Sequence, residues 1–342
     1  MDNKNNKSRV VRRKKRKLRK RAYFVIVPLV LLLAIGGYAG YLYMKASAEM
    51  SDTYVEDNRE KSDLREEKVD PSVDNVSILI MGVDSNEHRD NADSALTDSL
   101  MLATFNKEDK SVDLTSIPRD SLVYIPEVGY EDKITHAHAF GGPQATVETV
   151  ENLLNVPVDY YVKLNFHAFV DVVDAIGGVT VDVPYEFKES NSMDKRDAIH
   201  LYPGEQKVNG EEALAFARTR KMDNDIQRGK RQQDVLKAIM KKATSASSVF
   251  KYDNMIEAVG DNMKTNMSFS EMRSFFSYGT SGKDIEINTY TLEGTDYQPG
   301  NTYYWALDQQ ALEEAKTRIQ NHLGISSTMA DEGQDVEEAQ GS

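Results

Sequence analysis

The hydrophobic pattern gives the chain several distinct textures. "YFVIVPLVLLLAIGGYAGYLYM" (Tyr23–Met44) is uncharged and apolar on every side. A bilayer core takes about 20 such residues in a helix, so this run predicts one transmembrane helix. Residues 45–75 are dense in charge and poor in apolar positions, the texture of a spacer. From Val76 short apolar runs alternate with helical stretches. "VSILIMGVD" (Val76–Asp84), "DSLMLATFN" (Asp98–Asn106) and "SVDLTSI" (Ser111–Ile117) predict strands, the last two as a hairpin through "KEDK". "TVETVENLLN" (Thr146–Asn155) has apolar residues at helical spacing, and "DYYVKLN" (Asp159–Asn165) is a strand. "HAFVDVVDAIGG" (His167–Gly178) is a helix stopped by a glycine pair, and "VTVDV" (Val179–Val183) a strand. "DIEINTYTLEG" (Asp284–Gly294) predicts a late strand, and "ALDQQALEEAKTRIQNHLG" (Ala306–Gly324) an amphipathic helix. This alternation predicts one α/β domain over 76–324, with helices packed on a sheet. Residues 325–342 are polar and acidic and predict a disordered tail.

Charge sharpens the division. Residues 1–22 hold twelve Lys/Arg against one acid, Asp2, a net of +11 in a chain whose total is −13. The remainder therefore carries −24. A basic leader before an apolar run places the leader in the cytoplasm and everything after the span outside. "ASA" (Ala46–Ala48) offers a signal-peptide cleavage pattern. The apolar run, however, exceeds the usual ~7–15 residues of such a peptide, so an uncleaved single-pass anchor is expected. Beside a span, the leader's charge is topogenic, and no nucleic-acid partner is expected. The absence of cysteine excludes disulfides and thiol chemistry.

The candidate chemistry is concentrated in "ALAFARTRKMDNDIQRGKRQQDVLKAIMKK" (Ala213–Lys242). Asp225 is a helix N-cap candidate. With Arg228 at zero, a helix puts Val235 at about −20°, Ile239 at about 20° and Gln232 at about 40°. Arg228 and Gln232 thus extend the apolar stripe, and Arg231, at about −60°, sits at its edge. Arg218 and Arg220, two apart, share a face in an extended segment. Guanidinium groups are almost never buried unpaired. Their planar forks suit phosphate oxygens, so an anion site is expected. Internal salt bridges to Asp223, Asp225 or Asp234 are the plainer alternative. Arg119 follows a strand in "SIPRDS" (Ser116–Ser121). Asp84 ends one predicted strand and Asp98 begins the next. Carboxylates at strand ends beside arginines suggest a hard cation, Mg²⁺ or its substitute Mn²⁺, shared with substrate phosphates. "THAHAFGG" (Thr135–Gly142) shows two histidines without an obvious third ligand, which favours packing or hydrogen bonding over zinc. The chain contains no Gly-x-Ser-x-Gly elbow, Walker loop or His-Glu-x-x-His.

Several separated motifs, in order, resemble the LytR-CpsA-Psr family of Gram-positive bacteria. They are "MGVD", "TDSLMLATFN", "SIPRDS", "KITHAHAFGG", "VDYYVKLNFHAFVDVVDAIGGVTVDV", "EEALAFARTR" and "DIQRGKRQQ", between about Ser77 and Ala243. The resemblance implies a central mixed sheet flanked by helices, with an apolar tunnel for a polyprenyl tail. It implies an enzyme that moves a glycopolymer from undecaprenyl diphosphate to peptidoglycan at the cytoplasmic membrane. Asp84 and Asp98 match the family's metal-associated carboxylates. Arg119, Arg218, Arg220, Arg228 and Gln232 match its diphosphate-binding set, and Asp225 a further functional acid. Lys133 falls in the family's "KIN" pattern, with Thr135 in place of Asn. The implied nucleophile is the 6-hydroxyl of N-acetylmuramic acid, with undecaprenyl phosphate leaving. Asp98, Arg119 and Asp225 are the expected catalytic residues, with Asp98 or Asp225 as base. "AIHLYPGEQKVNGEEALAFARTRK" resembles the teichoic-acid-ligating branch, which makes wall teichoic acid the expected cargo. Hydrolysis of the lipid diphosphate is the sister activity. A membrane-bound attenuator of autolysin transcription is the non-enzymatic alternative, supported only by the basic leader.

Overall fold

The computed structural model describes residues 44, 53–55, 59–83, 96–222, 225–243, 263–275 and 285–325. The basic leader, the predicted span apart from Met44, Asp84 and the acidic tail beyond Ile325 lie outside the described residues. Among the described residues no helix is long and apolar enough to cross a membrane.

The sheet grows from β1 (Val76–Val83), β2 (Thr97–Asn106) and β3 (Ser111–Ser116), which pair antiparallel in sequence order. The predicted hairpin through "KEDK" is observed, with Asn106 opposite Ser111. Later elements complete the sheet. β6 (Tyr160–Leu164) lies parallel to β1, and β11 (Met263–Thr265) antiparallel to β6. At the other edge β12 (Glu286–Thr291) lies parallel to β3. The order β11–β6–β1–β2–β3–β12 makes the sheet mixed, as expected.

Both faces of the sheet are covered, so its strands are apolar nearly throughout. On one face Leu79, Met81, Leu100 and Leu102 pack with α1 (His136–Leu154) and α6 (Gln309–Leu323). Helix α6 begins at its cap, Asp308, whose side chain accepts from the Ala311 N–H, and ends on Gly324 at φ 69°. Helix α1 starts ten residues before the predicted Thr146. Gly141 and Gly142 leave helical geometry inside it, so two helical segments meet at a kink, with Pro143 beginning the second. The glycine pair is a joint upstream of the predicted helix start.

On the other face lie α2 (Phe166–Ala175), α3 (Gly210–Arg218) and α4 (Asp225–Ala243). Asn165 caps α2, and Asn209 and Glu212 form a reciprocal capping box on α3. Gly210 admits close packing of α3 on α2, because an added Cβ would stand 2.3 Å from the Val170 carbonyl. Behind these helices β7 (Val179–Val183) pairs antiparallel with β10 (Gly204–Val208), and the short β8 (Phe187–Glu189) with β9 (Ile199–Leu201). Their apolar sides join Phe216 and Val235 in a second core. A short α5 (Phe269–Ser274) follows β11. Two hairpins flank the sheet, β4 (Leu122–Ile125) with β5 (Tyr130–Lys133) and β13 (Gly294–Tyr297) with β14 (Tyr304–Leu307).

Part of the predicted spacer belongs to the domain. Arg59 pairs with Glu151 at 2.7 Å, and Arg65 grips Asp159 through Nε at 2.9 Å and Nη2 at 2.7 Å. Ser62 is buried against Glu151. Charge density suggested a solvated linker, but here opposite charges on α1 and at the start of β6 receive it.

Candidate active site

Helix α4 lies between the central sheet and the second core. Leu236 and Met240 meet the sheet side, while Val235, Ala238 and Ile239 meet the other core. The inward arc is therefore wider than the predicted stripe. Its middle carries Arg228, Gln232, Leu236 and Ile239, and all four also border open space.

That space is two cavities. One, of about 710 Å³, lies under α2, α3 and α4 and is mostly apolar, with Ile80, Met101, Phe169, Val172, Leu214, Ala217, Leu236 and Ile239 in its wall. The other, of about 510 Å³, is lined by Asp120, Asp225, Asp296, Tyr303 and Trp305 among others. Asp98, Ser99, Arg119, Arg220, Arg228 and Gln232 line both. The predicted arginines thus stand where an apolar chamber meets a polar one. Arg218 lines the apolar chamber only, and Asp225 the polar one only. Asp84 lies outside the described residues. Val83 before it pairs with Thr97, the neighbour of Asp98.

The arginines are gathered by carboxylates. Arg119 donates from Nη1 to Asp98 Oδ1 at 2.6 Å, and its Nε lies 3.5 Å from Asp120 and 3.7 Å from Asp225. Arg220 and Arg228 approach the same Asp225 oxygen at 3.2 Å and 3.3 Å. Arg218 lies 3.8 Å from Asp194 and covers the Phe166 ring at 4.7 Å. Gln232 reaches the Ala217 carbonyl at 3.5 Å. Asp225, read from the sequence as a cap, is the first residue of α4. There its carboxylate also meets the positive end of the helix dipole.

Burial alone would lower the pKa of Arg119, but Asp225, Asp98 and Asp120 outweigh it and raise the value. For Arg228 burial prevails over Asp225 and lowers it, although a guanidinium stays charged throughout. Burial would raise the Asp120 carboxyl. The Lys133 ammonium, 2.7 Å away, and Arg119 outweigh it and hold Asp120 below the usual range. Nε of Arg119 and Arg228 and Nη1 of Arg218 are buried without a hydrogen-bond partner among the described residues. Hydrogen-bonding capacity therefore remains for an anion.

Arg231 corrects an expectation. It is 4 % exposed, more buried than Arg228 at 8 %, and lines neither cavity. Its Nε donates to the Phe216 carbonyl at 3.0 Å and its Nη2 to that of Thr219. It clasps the C-terminal turn of α3 instead of sitting at the edge of the buried stripe. His136 bonds Asp132 at 2.7 Å, and Thr135 donates to the Thr97 carbonyl at 2.8 Å. Sequence reasoning passed over Asp120, Asp296, Tyr303 and Trp305. Asp120 stood beside Arg119 in the quoted motif, and that adjacency was the available signal.

The LytR_cpsA_psr family model matches residues 38–321. The chain belongs to the LytR_cpsA_psr family. The polyisoprenyl-teichoic acid–peptidoglycan teichoic acid transferase TagT of Bacillus subtilis (strain 168) is 41% identical over 318 residues, 92% of this chain and 98% of TagT. A structure described as TagT bound to LIIa-WTA superposes with a TM-score of 0.68 at 41% identity, covering 78% of this chain and 97% of that one. A structure of a LytR-CPS2A-psr family protein, YwtF (TagT), with bound octaprenyl pyrophosphate lipid has a TM-score of 0.64 at 38% identity, covering 78% and 98%.

Proposed function

We propose that this member of the family is a phosphotransferase that moves an anionic glycopolymer, wall teichoic acid, from undecaprenyl diphosphate to peptidoglycan. The observation that carries the reading is the row of arginines shared by an apolar and a polar chamber. A polyprenyl diphosphate has the same layout, a long apolar tail joined to a doubly charged head. Its tail fits the chamber under α2–α4, and its diphosphate fits Arg119, Arg218, Arg220, Arg228 and Gln232. The names of the relative and of the lipid-bound structures support the same substrate class.

Phosphoryl transfer asks the protein for position and charge neutralisation more than for covalent chemistry. The 6-hydroxyl oxygen of N-acetylmuramic acid bonds to the phosphorus nearer the sugar. The bond from that phosphorus to the lipid phosphate oxygen breaks, and undecaprenyl phosphate leaves with the electron pair. Arg119, Arg220 and Arg228 stabilise the charge that develops there. Asp225, which like Asp120 and Asp296 lines the polar chamber only, is the acid proposed to receive the hydroxyl proton, leaving Asp98 to the metal.

Mg²⁺ is part of the proposal. Among the described residues no group of three or more His or acidic side chains could hold a metal. Mg²⁺, however, is commonly held by one or two carboxylates plus substrate phosphates. Asp98, an oxygen donor in the wall of both chambers, fits that role, with Asp84 as its partner. The ion would add Lewis-acid neutralisation of the diphosphate. The basic leader and the Tyr23–Met44 run support a single-pass anchor with the domain outside the cell.

Purified full-length protein in detergent, given lipid-linked polymer and peptidoglycan oligomers, should yield polymer joined to peptidoglycan. Release of free polymer alone would establish hydrolysis instead and end the transferase reading.

A further inference from the structure

The polar chamber has a wall that the diphosphate does not need. It consists of Thr291 at the end of β12 and of Asp296, Tyr303 and Trp305 from the β13–β14 hairpin. Tyr303 and Trp305 are two apart, a spacing that puts both rings on one side of an extended strand. Tyr303 is 37 % exposed and donates its hydroxyl to Asp296 at 2.8 Å. Trp305 Nε1 is buried yet has no hydrogen-bond partner among the described residues.

The hairpin is fixed to the reacting side. The Trp305 backbone N–H donates to the Asp120 carbonyl at 2.8 Å, and Ser121 and Trp305 form a β-bridge. Gly294 leaves room for the indole, since an added Cβ would stand 2.7 Å from Trp305 Nε1. Two aromatic side chains and a carboxylate make a surface suited to a sugar ring, which offers C–H faces and hydroxyls.

Direction of attack decides which sugar. The attacking and leaving oxygens lie roughly in line through phosphorus. With the lipid phosphate leaving toward the apolar chamber, the nucleophile enters from the polar one. Resting on the transferase reading above, we infer that the β13–β14 hairpin is the acceptor subsite, where Trp305 and Tyr303 stack the peptidoglycan glycan and Asp296 takes a hydroxyl.

Trp305 is the only tryptophan of the chain, so its emission reports directly on this wall. Full-length protein in detergent is titrated with uncrosslinked peptidoglycan glycan oligomers. A saturable change in emission is expected, and Tyr303→Ala and Asp296→Ala should each weaken binding about tenfold, or ~1.4 kcal/mol. In the transfer assay Trp305→Phe, which keeps an aromatic ring, should raise the acceptor KM about tenfold. It should also lower the ratio of transfer to hydrolysis by a similar factor. No emission change at saturating oligomer would overturn the assignment. So would variants that raise the KM of the lipid-linked donor more than that of the acceptor, an outcome that would give the wall to the donor's own sugar. If wild-type protein transfers nothing while oligomers still shift the emission, the transferase reading fails and the glycan site stands.

Discussion

Arg228 and Arg231 occupy the same helical turn and are both buried, yet the structure gives them opposite roles. Replacing Arg231 by leucine removes charged donors from the carbonyls of Phe216 and Thr219 at the end of α3. A hydrogen bond from a charged group contributes about 1.5–3 kcal/mol, so two of them, with both carbonyls left unmet, amount to about 4 kcal/mol. For a domain near 250 residues, each kcal/mol moves Tm by about 2–4 °C, which predicts a fall of roughly 8–16 °C. Arg228 makes one long ion pair, to an Asp225 that keeps Arg220 and Arg119 as partners. Removing its buried charge relieves desolvation, so Arg228→Ala should change stability by less than about 1 kcal/mol. Its cost should fall on the rate. Loss of one donor to developing charge typically removes about 10²–10³-fold in kcat. Far-UV circular dichroism melts, with transfer rates measured well below both midpoints, separate the two. An Arg231→Leu protein with unchanged Tm and a rate as low as that of Arg228→Ala would refute the division.

Arg119→Lys keeps a charge but loses the fork that reaches Asp98, Asp120 and Asp225, and transfer should drop by about 10²-fold without loss of the melting transition; retention of full rate would count against the clamp. Chelation should abolish transfer and added Mg²⁺ restore it, with Asp98→Asn raising the Mg²⁺ concentration needed; activity in excess chelator would remove the metal from the proposal. Ala217→Leu narrows the apolar chamber and should raise the KM of a long polyprenyl donor while sparing a short-chain one, and equal effects would argue against lipid in that chamber. Burial, resisted by Asp113, lowers the pKa of His322, whose ring bonds Thr104 and Ser111 at 2.8 Å. The folded protein therefore binds this proton less readily than the unfolded chain. Stability should be full above about pH 6.5 and decline as pH falls from there through the lower folded value; a Tm that rises on acidification over that range would contradict the sign.

The strands and the inward placement of Arg228 and Gln232 were legible because periodicity is local. β1, β2 and β3 follow one another, and α4 carries its own phase. Arg231 was misplaced because a stripe drawn for one partner is too narrow for a helix wedged between two cores. The kink in α1 was missed for a related reason: Gly141 and Gly142 carry the same local signal whether a helix stops or bends. Trp305 and Tyr303 stand just before the predicted start of the last helix at Ala306, where the structure instead has β14 through Leu307. Their place at the chamber depends on a bridge to Ser121, far away in sequence, and no local pattern encodes that contact.

That bridge also orders the molecule in time. β1, β2 and β3 can close soon after they emerge, since each pairs with a neighbour in sequence. β12 must wait to lie beside β3, and Trp305 to reach Ser121. Contacts so distant along the chain pay their loop-closure cost late and slow the search for the native state. A chain cut after Ala243 would lose more than the wall over the polar side, because Leu312, Ala315, Ile319 and Leu323 of α6 belong to the main core and β11 and β12 to the sheet. The last strands to arrive thus complete the enclosure that favours a sugar hydroxyl over water.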